Sequence, residues 1–186
     1  MKTILASASP RRKELLSLAG IEYEVVVSEC EEILPEKILP HEAVMLLAKQ
    51  KAEDVFSRNS DCMVIAADTV VALEDKILGK PKDAEDAFNM LSALSGRQHT
   101  VYTGVCIMTK AKTDCFFVGT DVEFYSLTEK EIREYIATKE PMDKAGAYGI
   151  QEHGDMLLEN LSGELENVIG LPLKKVQQTL LELGCK

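Results

Sequence analysis

Three segments hold the residue types that phosphate chemistry needs. The first is Ala6-Ser7-Ala8-Ser9-Pro10-Arg11-Arg12, a small-residue loop that leaves an apolar run and enters a helix. Unpaired N–H groups and the dipole at a helix start favour an anion. The hydroxyls of Ser7 and Ser9 add donors, and Arg11 and Arg12 add planar forks suited to phosphate oxygens. A capped surface helix with two solvated arginines is the plain alternative. The second segment, Val64-Ile65-Ala66-Ala67-Asp68-Thr69-Val70-Val71, sets one acid in an apolar strand. Its carboxylate has to be paired or turned into a cleft, because an isolated buried charge is very costly. Beside a phosphate site it would hold a metal or take a proton from water; otherwise it is a strand-end charge paired with a lysine. The third is Pro141-Met142-Asp143-Lys144-Ala145-Gly146-Ala147-Tyr148-Gly149-Ile150-Gln151. Gly146 and Gly149 allow close approach of backbone to a flat ligand, and the Gln151 amide can read a base edge. A glycine-rich connection with a core tyrosine is the alternative here.

Two weaker signals accompany them. Leu78-Gly79-Lys80-Pro81 is a turn that projects a lysine, and Glu31-Glu32 follows a strand as a solvated loop or a metal ligand. Together the segments supply an acid pair, several cations and a base reader, the parts of a nucleotide-cleaving cleft.

The elements that position these residues follow from patterning. Thr3 to Ala6 reads as a strand and Pro10 to Leu18 as a helix, with Ser9 as N-cap and proline at the first helical position. Tyr23 to Val27 is a second strand. His41 to Arg58 carries Val44, Leu47, Ala48, Ala52 and Val55 at helical spacing, with the aliphatic stem of Lys51 on the same stripe. Met63 to Leu73 is a central strand, Asp83 to Leu94 an amphipathic helix, and Thr100 to Thr109 with Asp114 to Phe124 a long hairpin. Thr128 and Glu131 open a helix with a capping box that runs to about Ala137. Pro172 to Leu183 closes the chain as a helix ended by Gly184. Alternation of helices and strands with paired strands in the middle predicts a mixed sheet flanked by helices, class α/β or α+β. A doubly wound dinucleotide fold is disfavoured, since no GxGxxG follows the first strand.

Composition narrows the function classes. The 186 residues include 21 Lys and Arg against 31 Asp and Glu, a formal net charge of -10. Bulk attraction to nucleic acid or an anionic membrane is therefore disfavoured, and a phosphate ligand has to meet a few gathered cations. No apolar run approaches the ~20 residues of a membrane span, and no secretory leader is expected. The cysteines (Cys30, Cys62, Cys106, Cys115, Cys185) and the histidines (His41, His99, His153) show neither metal-ligand spacing nor a disulfide framework. A reduced, cytoplasmic protein is the expectation.

Ser7 to Leu16 resembles the opening signature of the Maf family of nucleotide pyrophosphatases. Ala67-Asp68-Thr69-Val70-Val71, Gly79-Lys80-Pro81, Leu94-Ser95-Gly96, His99-Thr100-Val101 with Thr103-Gly104, and Asp143 to Gln151 follow in the family's order. Asn167-Val168-Ile169-Gly170-Leu171-Pro172 matches its closing motif. A mild departure is Glu166, outside the motifs. The resemblance implies one Maf-like domain over residues 1–186, a mixed sheet in two lobes with a central cleft similar to the inosine triphosphate pyrophosphatases. It implies hydrolysis of nucleoside triphosphates to monophosphate and pyrophosphate with Mg²⁺, Mn²⁺ or Co²⁺, and a homodimer. By the same resemblance Asp68 is the proton acceptor, and Arg12, Thr69 and Gln151 bear on substrate choice. Ser7, Glu32, Lys51 and Lys80 match the other cleft residues, and the AYGIQ form resembles members acting on dTTP and UTP. With those residues carried over by the resemblance, Glu32 is the expected carboxylate partner of Asp68 at a metal, and Arg11, Arg12, Lys51 and Lys80 would stabilise the leaving pyrophosphate. The rival expectations are a different, modified nucleotide as substrate, and a nucleotide-sensing regulator of division or stress that binds without turnover.

Overall fold

The structure is a computed structural model that describes residues 1–184, with Glu152 described by its backbone only. Cys185 lies outside the described residues. Among the described residues seven strands form one mixed sheet, hydrogen-bonded in the order β2-β1-β3-β5-β6-β7, with β4 on β3. These are β1 (Thr3–Leu5), β2 (Glu24–Val25), β3 (Met63–Leu73), β4 (Lys76–Leu78), β5 (Gln98–Met108), β6 (Thr113–Phe124) and β7 (Leu158–Ser162). The helices are α1 (Pro10–Leu18), α2 (Pro40–Arg58), α3 (Ala84–Leu94), α4 (Glu129–Ala137), α5 (Leu165–Ile169) and α6 (Leu173–Glu182). Among the described residues no helix is long and apolar enough to cross a membrane. The mixed sheet with flanking helices is the expected class. The chain divides into two compact units, residues 1–68, 103–118 and 170–186 in the first and 69–102 and 119–169 in the second.

In the first unit β1 pairs in parallel with both neighbours, Ile4 opposite Glu24 and Val64, Leu5 opposite Val25 and Ile65. Parallel strands need crossovers, which α1 and α2 supply. Helix α1 starts where expected: Ser9 accepts from the Arg12 N–H and Pro10 takes the first position. Helix α2 begins one residue before the expected His41, at Pro40, where Glu42 reaches back to the Leu39 N–H at 3.4 Å. The core under α2 is built of small residues: Ala48 and Ala52 pack with Ala6, Val64, Ala66 and Cys106. Gly104 on β5 marks the closest approach, since a Cβ there would stand 2.6 Å from the Met45 nitrogen and collide with the Val44 carbonyl. Backbone in the way cannot swing aside as a side chain does. Gly104→Ala is therefore expected to destabilise by roughly 1–3 kcal/mol or more, read as a lowered urea midpoint with an unchanged slope.

In the second unit β4 folds back on β3, Val71 opposite Leu78, and β7 runs antiparallel to β6 from Asp121–Ser162 to Phe124–Leu158. Helices α3 and α4 cover a core of Leu91, Leu94, Val101, Phe124, Tyr135, Tyr148 and Leu157. Asp83 caps α3, and Thr128 with Glu131 forms the capping box predicted for α4.

Candidate active site

Asp68 stands inside β3 rather than at its end, between five buried residues and Val70. It lies three residues beyond the Leu5–Ile65 pair, past the carboxyl end of β1, where the Ser7–Ser9 loop leaves the sheet. Parallel α/β sheets keep their ligand sites outside the carboxyl ends of such strands. The Asp68 side chain is 15% exposed and its Oδ1 accepts from Lys51 Nζ at 2.5 Å. Lys51 follows Val44 by seven residues, two helical turns, so it shares the face of α2 that Gly104 admits against the sheet. That placement leaves its ammonium largely buried, at 17% exposure, and paired a second time with Glu32 Oε1 at 2.9 Å. Glu32 is half exposed, so this second pair is the weaker of the two. Glu31 is exposed.

The opening loop and α1 present the complementary charge. Ser7 is buried, and its Oγ accepts from the Ser9 N–H at 3.3 Å and from Arg12 Nη1 at 3.2 Å. Arg12 Nε donates to the Gly170 carbonyl at 2.8 Å. These bonds hold the plane of the guanidinium. Burial pulls the Arg12 pKa down, the charge of Asp68 opposes it, Arg11 lowers it further and Glu32 raises it. Half-buried Arg11 sits beside it and acts on it through its charge. The result is a crowded cationic corner whose charge two carboxylates offset only in part, a setting that attracts further anionic oxygen.

The second unit holds Thr69, Lys80 and Gln151. Thr69 follows Asp68 along β3 and is half-buried; Lys80 is exposed on the turn after β4. That turn is fastened to the glycine-rich segment by a hydrogen bond from the Gly146 N–H to the Gly79 carbonyl at 3.0 Å. Gln151 is half-buried at the start of a 3₁₀ turn, with its carbonyl accepting from the Gly154 N–H. Tyr148, read as either stacker or core, is core: 5% exposed, with its hydroxyl 2.7 Å from His99 Nε2. Burial pushes the His99 pKa down to about 4 and the Tyr148 pKa up.

The first unit therefore brings together Ser7, Arg12, Glu32, Lys51 and Asp68 in bonds drawn from four separate segments. Among the described residues no group of three or more His, Cys, Asp or Glu side chains gathers as a metal cage. A hard cation of the magnesium type does not need one, since it is held by one or two carboxylates plus substrate phosphates and water. Glu32 and Asp68 fit that role, both being carboxylates that already face one shared cation, the Lys51 ammonium. Sequence reasoning gave no role to the Gly170 carbonyl, although the closing motif contains it. Gly170 has φ +134°, a conformation that glycine alone adopts without strain, but no side chain in the sequence announces the role of a carbonyl.

Comparison with known proteins agrees with the motifs. The family model described as "Maf-like protein" matches residues 2–183. The chain is 51% identical to a dTTP/UTP pyrophosphatase of Bacillus cereus (strain B4264), covering 96% of this chain and 94% of that one. It is 50% identical to the dTTP/UTP pyrophosphatase of Bacillus thuringiensis subsp. konkukian (strain 97-27), covering 98% and 96%. Among solved structures, a HAM1 protein from Coxiella burnetii superposes with a TM-score of 0.51 at 14% identity, covering 98% of this chain and 99% of that one. The Ham1 protein of Staphylococcus aureus gives 0.51 at 15%, covering 98% of each. At such identities the likeness is one of fold. With the motifs in order along almost its whole length and half its residues shared with these relatives, the chain belongs to the Maf family.

Proposed function

We propose that the protein is a nucleoside triphosphate pyrophosphatase, a hydrolase acting on acid anhydrides, that converts dTTP and UTP to the monophosphate and pyrophosphate. The observation that carries this is Asp68: a largely buried carboxylate held by Lys51, in a cluster where Ser7 and Arg12 offer donors to phosphate oxygens. Binding alone has no use for a proton acceptor, and this favours catalysis over nucleotide sensing. Water attacks the α-phosphorus, and Asp68 accepts its proton as the bond forms. Arg12, with Arg11 and Lys80, takes up charge on the departing pyrophosphate, and Lys51 keeps the Asp68 carboxylate oriented. Ser7 and the N–H groups at the start of α1 hold phosphate oxygens. Glu32 and Asp68 would hold a divalent cation, Mg²⁺, Mn²⁺ or Co²⁺, which when bound offsets phosphate charge and makes water more acidic.

Base choice falls to Gln151, with Thr69 beside Asp68 as a second determinant. A pyrimidine with a 4-keto group and N3–H offers an acceptor and a donor, and one amide can satisfy both. Cytosine inverts that pattern. A panel of normal and modified nucleoside triphosphates is expected to show dTTP and UTP turned over well ahead of dCTP and CTP. Gln151→Ala is expected to narrow that preference by roughly tenfold or more while changing kcat on dTTP little. Unchanged selectivity would remove Gln151 from this role. We also infer a single working domain over residues 1–186, a cytoplasmic homodimer that clears unwanted nucleotides and has no nucleic-acid or membrane partner. The acidic net charge supports the last point.

A further inference from the structure

We infer that His99 and Tyr148 are a buried positioning pair that sets the conformation of residues 144–151 and, through it, the selectivity of the enzyme for its base. This rests on Gln151 as the base reader.

The segment adopts a backbone that it would not keep unaided. Gly146 and Ala147 are consecutive residues with φ +68° and +61°. For the alanine this is a left-handed conformation that L side chains avoid, and it persists only where the surroundings over-determine it. Such strain clusters where geometry serves function. Before the strained pair, the Gly146 N–H is tied to the Gly79 carbonyl, and a Cβ at 146 would come within 2.9 Å of the Val71 side chain. After it, Tyr148 is tied to His99, and the Gly149 N–H donates to the Tyr135 hydroxyl at 3.1 Å. Gln151 is three residues past Tyr148, so the reading amide inherits its placement from these anchors.

A core that needed only volume at positions 99 and 148 would be filled by apolar residues. Instead the two side chains share one short hydrogen bond inside an aromatic cluster. Phe124 stands edge-on to His99 at 4.9 Å and to Tyr148 at 4.7 Å. Apolar packing fixes depth loosely, whereas a buried hydrogen bond also fixes direction. Burial keeps the imidazole neutral above about pH 4, so the bond is not lost over the ordinary working range.

The test is steady-state kinetics on dTTP and dCTP, with thermal unfolding alongside, for wild type, Tyr148→Phe, His99→Phe, His99→Gln, Gln151→Ala and the Tyr148→Phe/Gln151→Ala double variant. Tyr148→Phe deletes only the hydroxyl and preserves the ring. Both Tyr148→Phe and His99→Phe are expected to raise KM for dTTP about fivefold with kcat within about twofold, and to cut the dTTP:dCTP ratio of kcat/KM by about fivefold. His99→Gln, which keeps a polar group toward Tyr148, is expected to retain more of that ratio than His99→Phe. In the double variant the tyrosine change is expected to add nothing to the loss of ratio already caused by Gln151→Ala. Equal losses for both nucleotides with the ratio intact, or additive losses in the double variant, would overturn the positioning role. A ratio that falls in Gln151→Ala but in neither anchor variant overturns the pair and leaves the base reader standing. An unchanged ratio in Gln151→Ala overturns both.

Discussion

Asp68→Asn is expected to lower kcat on dTTP by roughly 10²–10⁴ and to change KM by no more than a few-fold. The substitution is nearly isosteric, and the amide oxygen can still accept from Lys51 Nζ, so strand β3 and helix α2 keep their contact. What disappears is the negative charge and the ability to take a proton from the attacking water. Among the described residues Lys51 then retains Glu32, half exposed, as its charged partner. Because that change falls on the reacting water rather than on the triphosphate, the loss belongs to turnover. Calorimetric titration with a non-hydrolysable α,β-methylene analogue separates the two: near-normal affinity with slow turnover is the expected pattern. Full activity in this variant would contradict the assignment of Asp68.

The second large effect is expected at Arg12. Its Nε donates to the Gly170 carbonyl and its Nη1 to Ser7 Oγ, and these bonds fix the plane of the fork. A lysine keeps the charge but has neither the plane nor the pair of contacts. Arg12→Lys should therefore lower kcat/KM by about 10- to 100-fold, and Arg12→Ala by about 10²–10³. The desolvation that Arg12 suffers beside Arg11 makes a bound polyphosphate its natural complement. Kinetics with a thermal melt as control decides the matter. A lysine variant with wild-type kcat/KM would show that only charge is used there, against a role for the fork.

The parts legible in the sequence were those set by local rules. Ser9, Pro10 and the stripe of α1 announce one another within a turn, and the Thr128–Glu131 box starts α4 for the same reason. The mixed character of the sheet followed from strands too close in sequence for helical crossovers. Strands β4 and β7 and helix α5 were not found. β4 is three residues long and β7 has no buried residue, so neither has a burial pattern to read. The Cys115 thiol lies 2.6 Å from Cys106 Sγ, a contact fixed by hairpin register, which cysteine spacing alone does not reveal. At the site, Asp68 was visible as an acid among apolar residues; of the alternative, a strand-end charge paired with a lysine, the lysine is present but the strand end is not, since β3 runs on to Leu73 as expected. Lys51 is the instructive case. Its helical spacing made it a stem over the core, and the family resemblance alone placed it in the cleft. Only the close seat of α2 at Gly104 turns it toward Asp68. The Gly170 carbonyl was unreadable for a related reason: it acts through backbone, 158 residues from its partner.

The most direct test of water attack at the α-phosphorus is hydrolysis of dTTP in H₂¹⁸O with Mg²⁺ or Mn²⁺, the products separated and weighed by mass spectrometry. The expected result is dTMP carrying one ¹⁸O together with unlabelled pyrophosphate, and neither product with Asp68→Asn over the same interval. Label in the pyrophosphate, release of dTDP and phosphate, or tight nucleotide binding with no cleavage would contradict it.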